Sequence, residues 1–168
     1  MKVVYSDLKN KRVFISGGGS GIGATIVEHF CEQKSEVYFI DIDLKSSKKL
    51  IKKIKKKGYR VPKFIECNIL DVKKLQNIIK DIISKKGAIH CLINSAANDD
   101  RHTTEQVDEK YWENRMGINL KHYFFAAQAV VKGMKKIKSG SIVNLSSVSW
   151  MLGEGDKVVY ETAKSAVV

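Results

Sequence analysis

The sequence predicts an α/β protein built on a doubly wound parallel sheet, and three observations carry that prediction. Short apolar runs alternate along the chain with segments of helical period. A glycine cluster, Gly17 to Gly23, falls between the first apolar run and the first helical segment. An acidic residue, Asp41, closes the second apolar run. Strands that alternate with helices indicate a parallel sheet covered on both faces.

The elements follow in order. Val13-Phe14-Ile15 is a short apolar run suited to a strand buried on both faces. Ile22, Ile26, Val27 and Phe30 then recur at helical spacing, and a second strand, Val37 to Ile40, stops at Asp41. From Ser46 to Lys57, Leu50, Ile51 and Ile54 form one apolar stripe among lysines, and Gly58 ends that helix. Val61 to Cys67 is the expected third strand, with Pro62 near its start. Asp71 reads as an N-cap for a helix whose inner face is Val72, Leu75, Ile78, Ile79, Ile82 and Ile83, closed by Gly87. Ile89 to Asn94 is the fourth strand and Asn98 to Asp108 a polar loop. One long helix is expected from about Glu109 to Lys136, bent near Gly117. Ser141 to Leu145 is the fifth strand, and Lys157 or Val158 opens a helix expected to be still running at Val168.

Composition bounds the function. The 168 residues, 43% of them hydrophobic with a single proline, suffice for one domain, 1–168. The net charge of +12 comes mostly from lysine, since arginine occurs only at 12, 60, 101 and 115. Sequence-specific nucleic-acid readers lean on arginine forks, so the lysines read as a solvated surface and no nucleic-acid partner is expected. Cys31, Cys67 and Cys91 are odd in number and lack metal or disulfide spacing. Residues 1–12 lack the apolar core of a signal peptide, and no apolar run approaches membrane length. A cytoplasmic protein with reduced thiols, no metal and no membrane partner is the expectation.

Ser16-Gly17-Gly18-Gly19-Ser20-Gly21-Ile22-Gly23 joins a strand to a helix. Backbone must approach a pyrophosphate closely there, so side chains are excluded, and the helix N-terminus supplies free N–H groups. Gly17, Ser20, Gly21, Ile22 and Gly23 are the expected cradle, with Gly23 letting helix and strand pack. Asp41 lies about 20 residues past the turn, where a carboxylate accepts both ribose hydroxyls of NAD and repels the extra phosphate of NADP. The competing reading is a loop Asp that merely starts a turn. NAD is favoured.

Tyr160 and Lys164 are four apart on a helix and share a face. Tyr5 with Lys9 and Tyr59 with Lys63 match the bare pattern too, so position must carry the reading. The last pair opens the helix after the fifth strand, and Ser147 stands at that strand's C-terminal end, where doubly wound sheets bind ligands. A tyrosine with its ordinary pKa near 10 is a poor base; lowering it by about three units takes roughly 4 kcal/mol. A lysine ammonium about 6 Å away supplies on the order of 3 kcal/mol at an effective dielectric of 20. Ser147 would then hold a substrate oxygen while Tyr160 takes its proton and hydride leaves to the cofactor.

Together these residues resemble the short-chain dehydrogenase/reductase family, over essentially the whole chain and with the motifs in order. The family's Thr-Gly fingerprint corresponds to Ser16-Gly17-x-x-x-Gly21-x-Gly23, and its Asn-Asn-Ala-Gly motif to Asn94-Ser95-Ala96-Ala97, a departure at two positions. The resemblance implies a Rossmann fold, an NAD site completed by Asn68, Ile69, Asn94, Tyr160 and Lys164, and a catalytic tetrad of Asn119, Ser147, Tyr160 and Lys164. Asn119 would anchor a proton-relay water. The segments Asn98–His102, Ser149–Gly153 and Tyr160–Lys164 are similar to bacterial NAD-dependent aldose dehydrogenases of the family, which implies a small-molecule substrate; sugar and other hydroxyl substrates both stay open. Family members continue with two more strands and a substrate-covering loop and form homo-oligomers. The expectation is therefore a sheet truncated after the fifth strand and the start of the following helix, inactive or poorly folded alone. A catalytically silent NAD-binding fragment is the alternative.

Overall fold

The computed structural model describes residues 3–168; Met1 and Lys2, part of the 1–12 segment read for a signal peptide, lie outside the described residues. Five parallel strands form one sheet in the order β3-β2-β1-β4-β5. They are β1 (Arg12–Ser16), β2 (Glu36–Asp41), β3 (Lys63–Glu66), β4 (Cys91–Asn94) and β5 (Ser141–Asn144). The chain moves outward from β1 to β3, then returns to place β4 on the other side of β1. Ser16 faces Ile40 on one side and Asn94 on the other, so β1 and β4 flank the reversal point where such sheets bind ligands.

Helices α1 (Gly21–Glu32) and α2 (Leu44–Lys56) cover one face, and α3 (Val72–Lys86) and α5 (His122–Lys136) the other. Alternation within each strand builds both cores. Val13 and Ile15 pack with Val27, Phe39, Leu50 and Ile54, whereas Phe14 packs with Ile40, Leu75, Ile79, Leu92 and Val130. Residues 13 to 15 are wholly buried, which is why β1 reads as a continuous apolar run.

Several boundaries differ from expectation for identifiable reasons. Helix α2 opens at Leu44, not Ser46, because the Asp43 carboxylate accepts the Ser46 N–H at 2.9 Å. Strand β3 is shorter than Val61–Cys67 and begins after Pro62, which has no N–H for the ladder. Strand β4 starts at Cys91 rather than Ile89, since the Arg12 N–H is taken by His90 Nδ1 at 3.0 Å. Asp71 caps α3 through the Lys74 N–H at 2.9 Å and Gly87, with φ +88, ends it, both as expected.

The long helix is broken in two. It runs as α4 (Glu109–Met116), a single π-turn over Gly117–Lys121, and then α5. Short 3-10 turns at Ser6–Leu8 and Thr104–Gln106 and a four-residue helix α6 (Ser149–Leu152), closed by Gly153 at φ +67, were not expected. Helix α7 (Val158–Ser165) stops at Ser165 instead of running to Val168. Among the described residues strand β5 pairs with β4 alone, and its four residues are exposed, Ile142 and Val143 at about 40%. No helix among the described residues is long and apolar enough to cross a membrane.

Candidate functional site

The turn between β1 and α1 is closed so tightly that side chains have no room. Gly17 sits at φ +69, and a Cβ there would lie 2.6 Å from Ala96 Cα. A Cβ on Gly23 would lie 1.9 Å from the Gly17 carbonyl oxygen. Ser20, the residue before α1, makes no side-chain capping bond, and the first turn carries no acid. Among the described residues the N–H groups of Gly21, Ile22 and Gly23 have no acceptor, which leaves a helix start able to hold an anion. At the end of β2, Asp41 accepts the Gly19 N–H on Oδ2 (2.8 Å) and the Asp43 N–H on Oδ1 (2.9 Å). A carboxylate offers about four lone-pair positions, so two remain for a ligand.

One cavity of about 660 Å³ runs over this turn. Of the residues singled out from the sequence, Gly17, Ser20, Gly21, Ile22, Gly23, Asp41, Asn68, Ile69, Tyr160 and Lys164 line it. Ile22 belongs there and not to the core stripe, being 71% exposed. Asn68 reaches the wall with its Oδ1 already accepting the Leu70 N–H at 3.0 Å. Asn94 is buried below the cavity and does not line it; its Nδ2 donates to Asn144 Oδ1 at 2.8 Å. Ser147 also stands outside the lining, its hydroxyl 2.9 Å from that of Ser149, and the adjacent Ser146 takes its place on the wall. The Ser146 hydroxyl donates to the Lys164 carbonyl at 2.6 Å.

Lys164 is 1% exposed, and its ammonium donates to the Leu145 carbonyl (2.7 Å) and to the Tyr123 hydroxyl (2.8 Å). Burial pushes its pKa down to about 8. Its Nζ is 5.6 Å from the centre of the Tyr160 ring, and among the described residues the Tyr160 hydroxyl has no hydrogen-bond partner. Asn119 lies in the π-turn, fully buried, with both side-chain atoms committed to the Asn98 backbone: Oδ1 accepts Asn98 N–H (2.8 Å) and Nδ2 donates to Asn98 O (2.9 Å). That pair fixes the start of the polar loop. Beneath the turn, His122 is fully buried 3.4 Å from Ser16 Oγ; burial, with the Lys164 charge as a lesser cause, pushes its pKa down to about 3.

Part of the polar loop turns into the fold. Asn98 and Asp99 line the cavity, but His102 turns inward and is 6% exposed. Its Nε2 accepts the Val159 N–H at 3.4 Å, one of the unpaired donors that open α7. Nδ1 must therefore carry the proton, shared between Asp100 O (3.1 Å) and the Tyr111 hydroxyl (2.9 Å). Arg115–Asp100 at 2.7 Å and the Arg101–Asp156 pair tie the loop further to α4 and to the segment before α7. Trp150 lies in α6 with a buried indole N–H lacking an acceptor, and it does not line the cavity.

Sequence reasoning missed Tyr123, Ser146 and Asp43. Asp43 was findable, as an acid one residue before a helical stripe. Tyr123 was not, because its inward direction depends on the π-turn before it.

Comparison with known proteins gives the family of the chain. Residues 11–168 match the short chain dehydrogenase family. The chain is 40% identical to D-xylose 1-dehydrogenase of Caulobacter vibrioides over 98% of its own length and 64% of that protein's. It is 37% identical to a probable galactose dehydrogenase of Rhizobium meliloti, again over 98% of itself and 64% of the relative. The ligand-free aldohexose dehydrogenase of Thermoplasma acidophilum superposes with a TM-score of 0.84 at 28% identity, covering 97% of this chain and 59% of that one. The chain thus spans 64% of the length of these curated relatives. By sequence match and by fold, it belongs to the short chain dehydrogenase family.

Proposed function

We propose that this chain is an oxidoreductase that passes a hydride between NAD and a hydroxyl or carbonyl substrate, with aldose sugars as the substrate class. The observation that carries the reading is one cavity joining Asp41, the uncapped start of α1, and the Tyr160–Lys164 pair. Dehydrogenases of this family bind a nicotinamide cofactor, and the residues present fit one. Gly17 and Gly23 let the turn close onto Ala96 and onto itself, so a Cβ at either would force apart the cradle that would hold a pyrophosphate. Gly21, Ile22 and Gly23 N–H groups would hold its oxygens, and the free lone pairs of Asp41 the adenosine ribose hydroxyls. Asn68 and Ile69 would flank the adenine.

NAD is favoured over NADP because Asp43 lines the same end of the cavity as Asp41, so a 2′-phosphate would meet two carboxylates. When bound, the nicotinamide supplies the hydride acceptor or donor. The chain's own residues handle the proton. Tyr160, whose hydroxyl has no partner among the described residues, takes it from the substrate oxygen. Lys164 turns its remaining N–H toward the cavity and supports the phenolate with its charge. Ser147 would orient the substrate after giving up its bond to Ser149. Any water relay at Asn119 would use main chain, since the side chain is committed to Asn98. The relatives named for xylose and galactose support an aldose substrate. We place the protein in the cytoplasm, where its three free cysteines stay reduced.

Calorimetry with NAD and NADP on the wild type and Asp41→Ala tests the cofactor reading. Each charge-assisted hydrogen bond lost from ribose should weaken NAD binding about tenfold, with NADP gaining. Unchanged NAD affinity in the variant would remove Asp41 from the site. Formation of reduced nicotinamide on a panel of aldoses and simple alcohols tests the substrate class, and NAD binding without turnover would leave only the binding part standing.

A further inference from the structure

A buried residue outside the expected tetrad is built into this site. We propose that Tyr123 is a positioning residue for Lys164: its phenol oxygen holds one ammonium hydrogen and aims the charge at Tyr160. The proposal rests on the reading of Lys164 as the group that supports Tyr160.

An ammonium has three hydrogens, and Lys164 gives one to the Leu145 carbonyl (2.7 Å) and one to Tyr123 (2.8 Å). A carbonyl can only accept, so the Tyr123 hydroxyl, 3.1 Å from the same Leu145 oxygen, must be the donor there. Its phenol oxygen is then left as the acceptor for lysine. The three groups close a triangle between β5's end, α5 and α7, and one ammonium hydrogen remains for the cavity.

Tyr123 is 3% exposed, and burial raises its pKa, with the neighbouring Tyr160 as a lesser cause. It therefore stays a neutral acceptor, which solvates the ammonium without cancelling its charge. A carboxylate in that place would form an ion pair and spend the charge that Tyr160 needs. The titratable groups facing Lys164 are Tyr160 on its own helix and Tyr123 and His122 on α5; no carboxylate pairs with it among the described residues. The backbone explains how Tyr123 arrives. It is the second residue of α5, directly after the π-turn. One extra residue in a helix rotates everything beyond it by about 100° relative to the preceding turn.

The test is a titration of Lys164 in the full chain, labelled with ¹³Cε-lysine, with the signal assigned by its loss in Lys164→Met. Tyr123→Phe keeps the ring and removes the oxygen. The expected result is a downward shift of the Lys164 midpoint by about one pH unit, the effect of one lost hydrogen bond to a charged group. An unchanged or raised midpoint in a folded variant overturns the proposal and leaves Tyr123 a packing residue. Should Tyr123→Phe fail to fold, wild-type chain labelled at tyrosine ¹³Cζ answers the same question. A tyrosine signal other than that of Tyr160, assigned by Tyr160→Phe, must inflect at the lysine midpoint; its absence overturns the proposal. Neither readout needs cofactor or turnover. A chain that binds no NAD but shows the shift would therefore sink the function proposed above while sustaining the role of Tyr123 toward Lys164.

Discussion

Replacing Lys164 by Met should change how stability depends on pH, with a sign and size that follow from burial. Lys164 is 1% exposed and its pKa is pushed from 10.5 down to about 8. In the unfolded chain the ammonium keeps its proton until about pH 10.5; in the folded chain it loses it above about 8. Between those values the unfolded state holds more protons, so stability rises with pH, by about 1.4 kcal/mol per unit. Over the roughly 2.5 units that separate the two pKa values the gain totals about 3 kcal/mol. Below pH 8 both states are protonated and this contribution is flat. Other groups oppose the trend: burial raises Cys91 to about 11, and Cys31 and Tyr38 to about 12, so their unfolded forms ionise first and favour unfolding as pH climbs. The difference between wild type and Lys164→Met cancels those terms. Urea unfolding of both chains at half-unit steps from pH 7 to 10 should show wild type gaining on the variant from about pH 8 upward. Parallel stability curves across that range would refute the claim that Lys164 is buried at a cost to its charge.

Three further substitutions separate packing from strain and from capping. Gly23→Ala should destabilise by roughly 1–3 kcal/mol and weaken NAD binding, because its Cβ would collide with the Gly17 carbonyl. Gly21→Ala, at φ +52 but with nothing within 4 Å, should cost about 1–2 kcal/mol by backbone strain alone. Equal stability of Gly23→Ala and wild type in urea would show that the turn is looser than described. His102→Ala should cost about 1–2 kcal/mol and speed amide exchange at the start of α7, since Val159 loses its acceptor. Unaltered exchange over Val159–Ala163 would mean the loop does not cap that helix.

The legible parts of this protein were those written in local pattern. A strand buried on both faces must be apolar throughout, so Val13–Ile15 announced itself. A phosphate turn must lack side chains, so Gly17, Gly21 and Gly23 stood out, and Asp41 was readable because strand length fixes where a strand ends. Tyr160 and Lys164 shared a face by helical period, although two other Tyr–Lys pairs matched equally well and position alone separated them. Residues whose direction depends on long-range approach are not fixed by local pattern. Ser147 is legible from its place at the end of the fifth strand and Asn94 from its motif, but that Ser146 lines the cavity and that the cavity passes above Asn94 is seen only in the structure. Nothing local shows that His102, in the polar loop, caps a helix 57 positions away.

Sequence by itself decided the sheet's composition, the glycine turn and the acid at the end of β2, because each rests on spacing along one stretch of chain, and the order of motifs along the whole chain carried the resemblance to the family. Tertiary structure decided which side chains face the cavity and what state they hold there. A π-turn of five residues rotates Tyr123 inward, and the packing of α5, α7 and β5 then strips water from Lys164. Direction and desolvation are properties of elements brought together from distant parts of the chain, and no local pattern encodes them.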